Sequence, residues 1–208
     1  MFRAPFISFE GGEGCGKTTQ IAKLSDALSA RNIEHVSTRE PGGTLLAEAL
    51  RNIVVQPQKE EWQPMSEMLV FLAARNEHLH KVILPALEKD MCVVTDRFHD
   101  SSRVYQGMAK ECGLETYDML HRLLFPNIMP TLTFLLDIDP QLGLKRAASR
   151  HDKDTRFEQL DIAFHHTLRE GFLSLARAEP QRFIICDASQ DKESLHQQIM
   201  QHLDPYLC

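Results

Sequence analysis

Residues 11–18 read Gly-Gly-Glu-Gly-Cys-Gly-Lys-Thr, with glycine at positions 11, 12, 14 and 16. So many glycines favour neither helix nor strand; they suit a chain that must curl tightly. The apolar run PFISFE (5–10) precedes this stretch, and an amphipathic stretch from Lys17 to about Arg31 follows it. Strand, glycine-rich loop and helix in that order satisfy G-x-x-x-x-G-K-[ST] in its confirming context. In such a loop successive N–H groups point at phosphate oxygens and the helix adds its positive end. Gly11, Gly12, Glu13, Gly14, Cys15, Gly16, Lys17, Thr18 and Thr19 are therefore expected to hold the phosphates of ATP. Lys17 is placed to reach the β/γ-phosphates and the Thr18 hydroxyl to ligate Mg²⁺.

The rest of the chain repeats the alternation. HVSTRE (35–40), MCVVTD (91–96), TLTFLLDI (131–138) and RFIICD (182–187) are further strand candidates separated by helical stretches. Continuous apolar character predicts strands covered on both faces, hence a parallel sheet with right-handed crossovers. The fold class expected is α/β, a P-loop kinase fold with a five-stranded parallel sheet flanked by helices. Ligands then bind outside the carboxyl ends of the strands. A length of 208 residues without an evident linker fits one domain over 1–208, with a lid at about 145–156.

Composition narrows the partners. A net charge of −6 without a basic stripe argues against a nucleic-acid polymer. No apolar run is long enough to span a bilayer. The opening MFRAPFISFE is too short and too soon polar for a signal peptide, so the cytoplasm is the default location. Five scattered cysteines with no C-x-x-C pair fit a reducing compartment; Cys92 and Cys186 read as buried thiols and Cys15 as a small loop filler. The histidines show no metal-ligand spacing, and His165-His166 is expected on a helix surface.

Asp96-Arg97 ends an apolar strand, where the carboxylate suits the Mg²⁺ shell and the guanidinium a phosphate; an ordinary strand-end ion pair is the alternative. A helix over about 65–88 carries a core stripe of Met65, Met68, Leu69, Leu72, Leu79, Val82, Ile83 and Ala86. Phe71 and Arg75 fall on another face, one turn apart, where they either hold a planar base or pack against a neighbouring helix. Lys145, Arg146, Arg150, Lys153 and Arg156 are a solvated charged face or a lid bringing arginines over a phosphoryl group.

Taken with these motifs, the sequence resembles thymidylate kinases, specifically the bacterial form. The resemblance covers nearly the whole chain: FEGGEGCGKTT, TREPGGT (38–44), FLAAR (71–75), TDRFHDSSRVYQG (95–107), FLLDIDPQLGLKRAASR (134–150) and CDASQ (186–190). It implies transfer of the ATP γ-phosphoryl group to dTMP with Mg²⁺, in dTTP biosynthesis, by a homodimer. It further implies that Phe71 stacks on thymine, Arg75 bonds a thymine carbonyl, and Ser102 and Gln106 lie near the base edge. Tyr105 would pack on the deoxyribose and disfavour a 2′-hydroxyl, Glu13 approach the 3′-hydroxyl, and Arg39 and Arg97 act near the dTMP phosphate. Gly14 stands where some relatives carry an arginine, so Arg150 and Arg156 become the lid candidates for catalytic charge beside Lys17 and Arg97. Val104, Arg103 and Lys110 depart from the family pattern around the acceptor pocket. A P-loop kinase for another nucleoside monophosphate or a deoxynucleoside is the alternative; a GTPase is disfavoured because no N-K-x-D motif occurs.

Overall fold

The computed structural model describes residues 3–57, 59–110, 112–149 and 156–207. Five strands, β1 (Phe6–Glu10), β2 (His35–Arg39), β3 (Cys92–Asp96), β4 (Leu132–Asp137) and β5 (Phe183–Asp187), form one parallel sheet in the order β2-β3-β1-β4-β5. The helices are α1 (Lys17–Ala30), α2 (Leu45–Val55), α3 (Pro64–His78), α4 (Leu84–Glu88), α5 (His99–Ser102), α6 (Leu114–Leu124), α7 (Pro140–Ala148), α8 (Ile162–Ala178) and α9 (Lys192–Leu203). The five expected strands therefore form at the expected places.

Alternate residues of the inner strands feed opposite faces, as the two-residue period requires. Ile7 and Phe9 of β1, Val94 of β3 and Leu132, Phe134 and Leu136 of β4 pack with Leu24 and Leu28 of α1 and Leu195, Ile199 and Leu203 of α9. On the other face, Phe6 and Val93 join Met68, Leu72 and Phe98, while Leu135 joins Leu168, Phe172 and Leu175. The edge strands differ from expectation: β2 is half-exposed along its length, and Ile185 of β5 is 45% exposed. Only strands with a neighbour on each side are sealed from solvent on both faces here.

Two helical expectations are corrected. Met65 and Leu69 are 41% and 50% exposed instead of buried, and the buried stripe runs Met68, Leu72, Arg75, Leu79. Arg75 thus lies within the core stripe, which a charge can do only when it is paired. The helix also breaks its α-helical register in a π-helical turn over Leu79–Ile83. His165 is buried rather than on the surface, because it falls in line with Leu168 and Phe172 on α8. No helix among the described residues is long and apolar enough to cross a membrane.

Candidate active site

Helix α1 starts without a side-chain cap and without an acidic residue in its first turn. By contrast Thr44, Asp139, Asp161 and Asp191 cap α2, α7, α8 and α9. The first N–H groups of α1, left uncapped behind the glycine loop, form an anion seat. Gly14 and Gly16 have φ of 68° and 96°, and a Cβ at position 14 would collide with the Gly143 carbonyl. Close packing of the loop on α7 therefore excludes any side chain at position 14, arginine included. Lys17 Nζ lies under the loop, donating to the carbonyls of Gly11 (3.2 Å) and Gly12 (3.1 Å). Cys15 is fully buried in the core beside it. The Thr18 hydroxyl donates to Asp96 Oδ2 at 3.3 Å, so the two oxygen groups expected at the metal adjoin each other.

The loop after β3 joins this seat to a second cavity. Arg97 adopts φ 68°, and its guanidinium donates to the Gly11 carbonyl (3.0 Å), Ser101 (3.1 Å) and Glu13 Oε1 (2.9 Å). The Tyr105 hydroxyl donates to the same Glu13 oxygen at 3.0 Å, and Arg97 lies 5.0 Å over the Tyr105 ring. Burial would raise the Glu13 pKa, but Arg97 and Lys17 outweigh it and hold the carboxyl below its usual range. Burial places the Tyr105 phenol well above its ordinary value, so this hydroxyl serves as a neutral donor. Glu13, Glu40, Arg51 and Arg97 line both the second cavity and the one over the phosphate loop, so the two are contiguous.

Phe71, Arg75, Ser102, Tyr105 and Gln106 all line this second cavity, together with Phe157. Arg75 is 2% exposed and held on every side. Its Nε donates to Glu40 Oε2 (2.7 Å), one terminal nitrogen to the Tyr117 hydroxyl (2.5 Å), and the other to the Phe98 carbonyl (2.9 Å) and Ser102 (3.0 Å). Glu40 also meets His78 Nδ1 at 3.0 Å, whose other ring nitrogen meets Thr38 at 2.6 Å. A Cβ at position 43, where φ is 84°, would strike the His78 ring. Thr38, Glu40 and Gly43 of TREPGGT thus pack against the side chains that fix Arg75.

Arg39 lies further out, bridged to Glu48 at 2.9 Å. Arg146 of the basic stretch donates to the carbonyls of Ala188 (2.7 Å) and Ser189 (3.1 Å), locking α7 to the CDASQ loop. Arg150 lies outside the described residues. Arg156 donates to the Val54 carbonyl and to Glu67, both at 2.5 Å, and is not among the residues lining the phosphate-loop cavity. Sequence reasoning missed Arg51 and Phe157, which line the cavities, and His78, Tyr117 and Glu67, which bond residues that do. None belongs to a fixed-spacing motif read above, except that His78 follows FLAAR by three positions.

Glu10, at the end of β1, accepts from the Phe98 N–H (2.8 Å) and the Ser101 hydroxyl (2.5 Å), bracing the Arg97 loop from below. Burial, with the Asp100 charge adding to it, raises its pKa to about 7. Between about pH 4.5 and 7 the folded chain then holds a proton that the unfolded chain releases. Its contribution to stability therefore falls as pH rises through that window. Glu10→Gln is expected to raise the melting temperature more at pH 8 than at pH 5; an equal or reversed difference in thermal melts would show that Glu10 ionises freely in the fold.

The glycine loop on an α/β sheet, with a contiguous second cavity, defines a P-loop kinase. The thymidylate kinase family model matches residues 9–199. A thymidylate kinase from Magnetococcus marinus is 44% identical over 89% of this chain and 88% of its own length, and one from Deinococcus radiodurans is 43% identical over 96% of both. The crystal structure of thymidylate kinase from Ehrlichia chaffeensis superposes with a TM-score of 0.79 at 32% identity, covering 96% of this chain and 98% of that one. The chain belongs to the thymidylate kinase family.

Proposed function

We propose that the chain transfers the γ-phosphoryl group of ATP to the phosphate of dTMP, giving dTDP and ADP. The observation that carries this reading is the contiguity of the two cavities at Glu13 and Arg97. A nucleotide phosphate held by Arg97 is thereby directed at one held over Lys17. A dTMP phosphate oxygen attacks the γ-phosphorus as the bond to the β-phosphate oxygen breaks. That oxygen is already largely ionised near neutral pH, since its second pKa is ~6, so no strong base is needed. Catalysis is positioning and charge neutralisation. Lys17 and Arg97 supply positive charge from the described residues; Arg150 and Arg156 are the lid candidates. The Thr18 hydroxyl and Asp96 carboxylate are hard oxygen donors that would hold Mg²⁺, directly or through water, and the ion would supply positive charge against the ATP phosphates.

In the acceptor cavity, Phe71 offers a ring face to thymine and Arg75 a donor to a base carbonyl, with Ser102 and Gln106 at the base edge. The Tyr105–Glu13 pair closes the sugar side, where it takes the 3′-hydroxyl and crowds a 2′-hydroxyl. Arg39 and Arg51 flank the phosphate path.

Exposed apolar side chains on neighbouring helices, Leu45 and Ile53 on α2, Met65 and Leu69 on α3, and Met119 and Leu123 on α6, support a homodimer. The free, buried Cys15, Cys92 and Cys186 suit a reducing compartment, in keeping with the cytoplasm. Coupled ADP release with dTMP, dUMP, UMP and thymidine side by side tests the acceptor, with the preparation weighed by light scattering. dTMP is expected to give the highest kcat/KM and the mass to be twice 23.8 kDa. Robust turnover of another acceptor with little on dTMP would sink the assignment, and a monomeric mass the dimer.

A further inference from the structure

Glu67 of α3 is fully buried, and three donors from two distant segments converge on it. Gln106 Nε2 donates to Oε1 at 3.0 Å; Lys110 Nζ and Arg156 donate to Oε2 at 2.7 and 2.5 Å. We propose that Glu67 is a positioning residue for the acceptor base, setting the orientation of the Gln106 amide and anchoring the segment that brings Phe157 to the pocket. The proposal rests on the dTMP reading above.

A carboxylate bonded to two cations only accepts, so the Gln106 NH₂ must face Glu67. The Gln106 carbonyl oxygen is then the group left for a ligand in the cavity that Gln106 lines. That oxygen takes an N–H donor from the base, while Arg75 supplies the complementary donor for a base carbonyl. An acceptor beside a donor reads an imide edge, the arrangement of thymine and uracil. With no carboxylate at position 67, the amide could rotate and offer either atom.

The other arm runs through Arg156. Its guanidinium is fixed to Glu67 and the Val54 carbonyl, and its backbone N–H donates to the Val55 carbonyl at 3.1 Å. The next residue, Phe157, stands edge-on to Tyr105 at 5.4 Å and lies 6.4 Å from Phe71. Lys110 and Arg156 lie over its ring, at 5.3 and 4.5 Å from its centre.

The test measures kcat and KM for dTMP, for N3-methyl-dTMP and for ATP in wild type, Glu67→Gln and Glu67→Asp, with thermal melts of each. Glu67→Gln is expected to raise the KM for dTMP roughly tenfold, the loss of about one well-placed hydrogen bond, with the KM for ATP and kcat within about threefold. The preference for dTMP over its N3-methyl analogue is expected to shrink by a similar factor. Glu67→Asp, which keeps a group that only accepts, is expected to retain that preference within about threefold, and this arm decides if the Gln variant does not fold. A lowered melting temperature with unchanged KM and unchanged preference would overturn the proposal and leave Glu67 a purely structural residue. Loss of the preference in a folded Glu67→Asp would also overturn it. Wild-type enzyme that does not turn over dTMP would instead refute the reading of the pocket itself.

Discussion

Lys17→Ala is expected to lower kcat by about two to three orders of magnitude while the chain stays folded. Lys17 is 8% exposed, and among the described residues its ammonium bonds main-chain carbonyls and the nearby Cys15 sulfur. Among the described residues those contacts all lie within the loop itself. On the proposed reading, its charge would face the negative charge that builds up on the transferring phosphoryl group. Removing one preorganised positive or hydrogen-bonding group from such a site typically costs a factor of about 10²–10³. Single-turnover kinetics with saturating ATP and dTMP, paired with a circular-dichroism melt, separates chemistry from folding. Turnover within tenfold of wild type would remove Lys17 from the transition state.

Glu40→Ala is expected to cost about 3–5 kcal/mol of stability, because it strands the buried Arg75 charge without its partner. Arg75 and Glu40 side chains are 3% and 5% exposed, so water does little to replace the lost ion pair. Burial opposes both charges, yet their mutual attraction wins: the Glu40 carboxyl is held below its usual range and the Arg75 guanidinium above its own. His78 loses one of its two ring-nitrogen partners in the same step and keeps Thr38. Urea unfolding of the variant measures the loss. On the proposed dTMP reading, the KM for dTMP should rise sharply with it, since an unanchored Arg75 would no longer hold its donor at one place on the base edge. A loss below about 1 kcal/mol would mean that Arg75 finds another partner.

These two expectations differ in how far they were legible beforehand. Lys17 follows from spacing alone, because a phosphate loop is local: one strand end, eight residues and one helix start build it. Asp96-Arg97 is similar, since a strand terminus delivers both residues to the carboxyl edge of the sheet. The positions of all five strands were also readable, though the burial expected of them holds only for β1, β3 and β4, since β2 and β5 are edge strands with one side open. Glu40 sat in plain view within TREPGGT, but its task did not. That task is defined by Arg75, 35 positions away, and by His78, 38 away.

Met65 and Leu69 are expected in the core stripe and Arg75 on a face apart from it, and the fold reverses both for one reason. A stripe drawn through apolar residues alone takes in Met65 and Leu69 and leaves out a charge. The fold instead buries a charge that Glu40 neutralises and leaves bare an apolar face on α2, α3 and α6.

The sequence by itself determined the sheet, the phosphate loop, the positions of the motifs and the family to which the chain belongs. Tertiary structure alone decided which groups hold those motifs in place: Glu40 and Tyr117 on Arg75, Glu67 on Gln106 and Arg156, and Glu10 beneath the Arg97 loop. Periodicity and spacing describe how a segment meets solvent and its near neighbours. A buried ion pair between distant segments leaves no periodic trace, and it exists only once folding excludes the water that would otherwise solvate both charges.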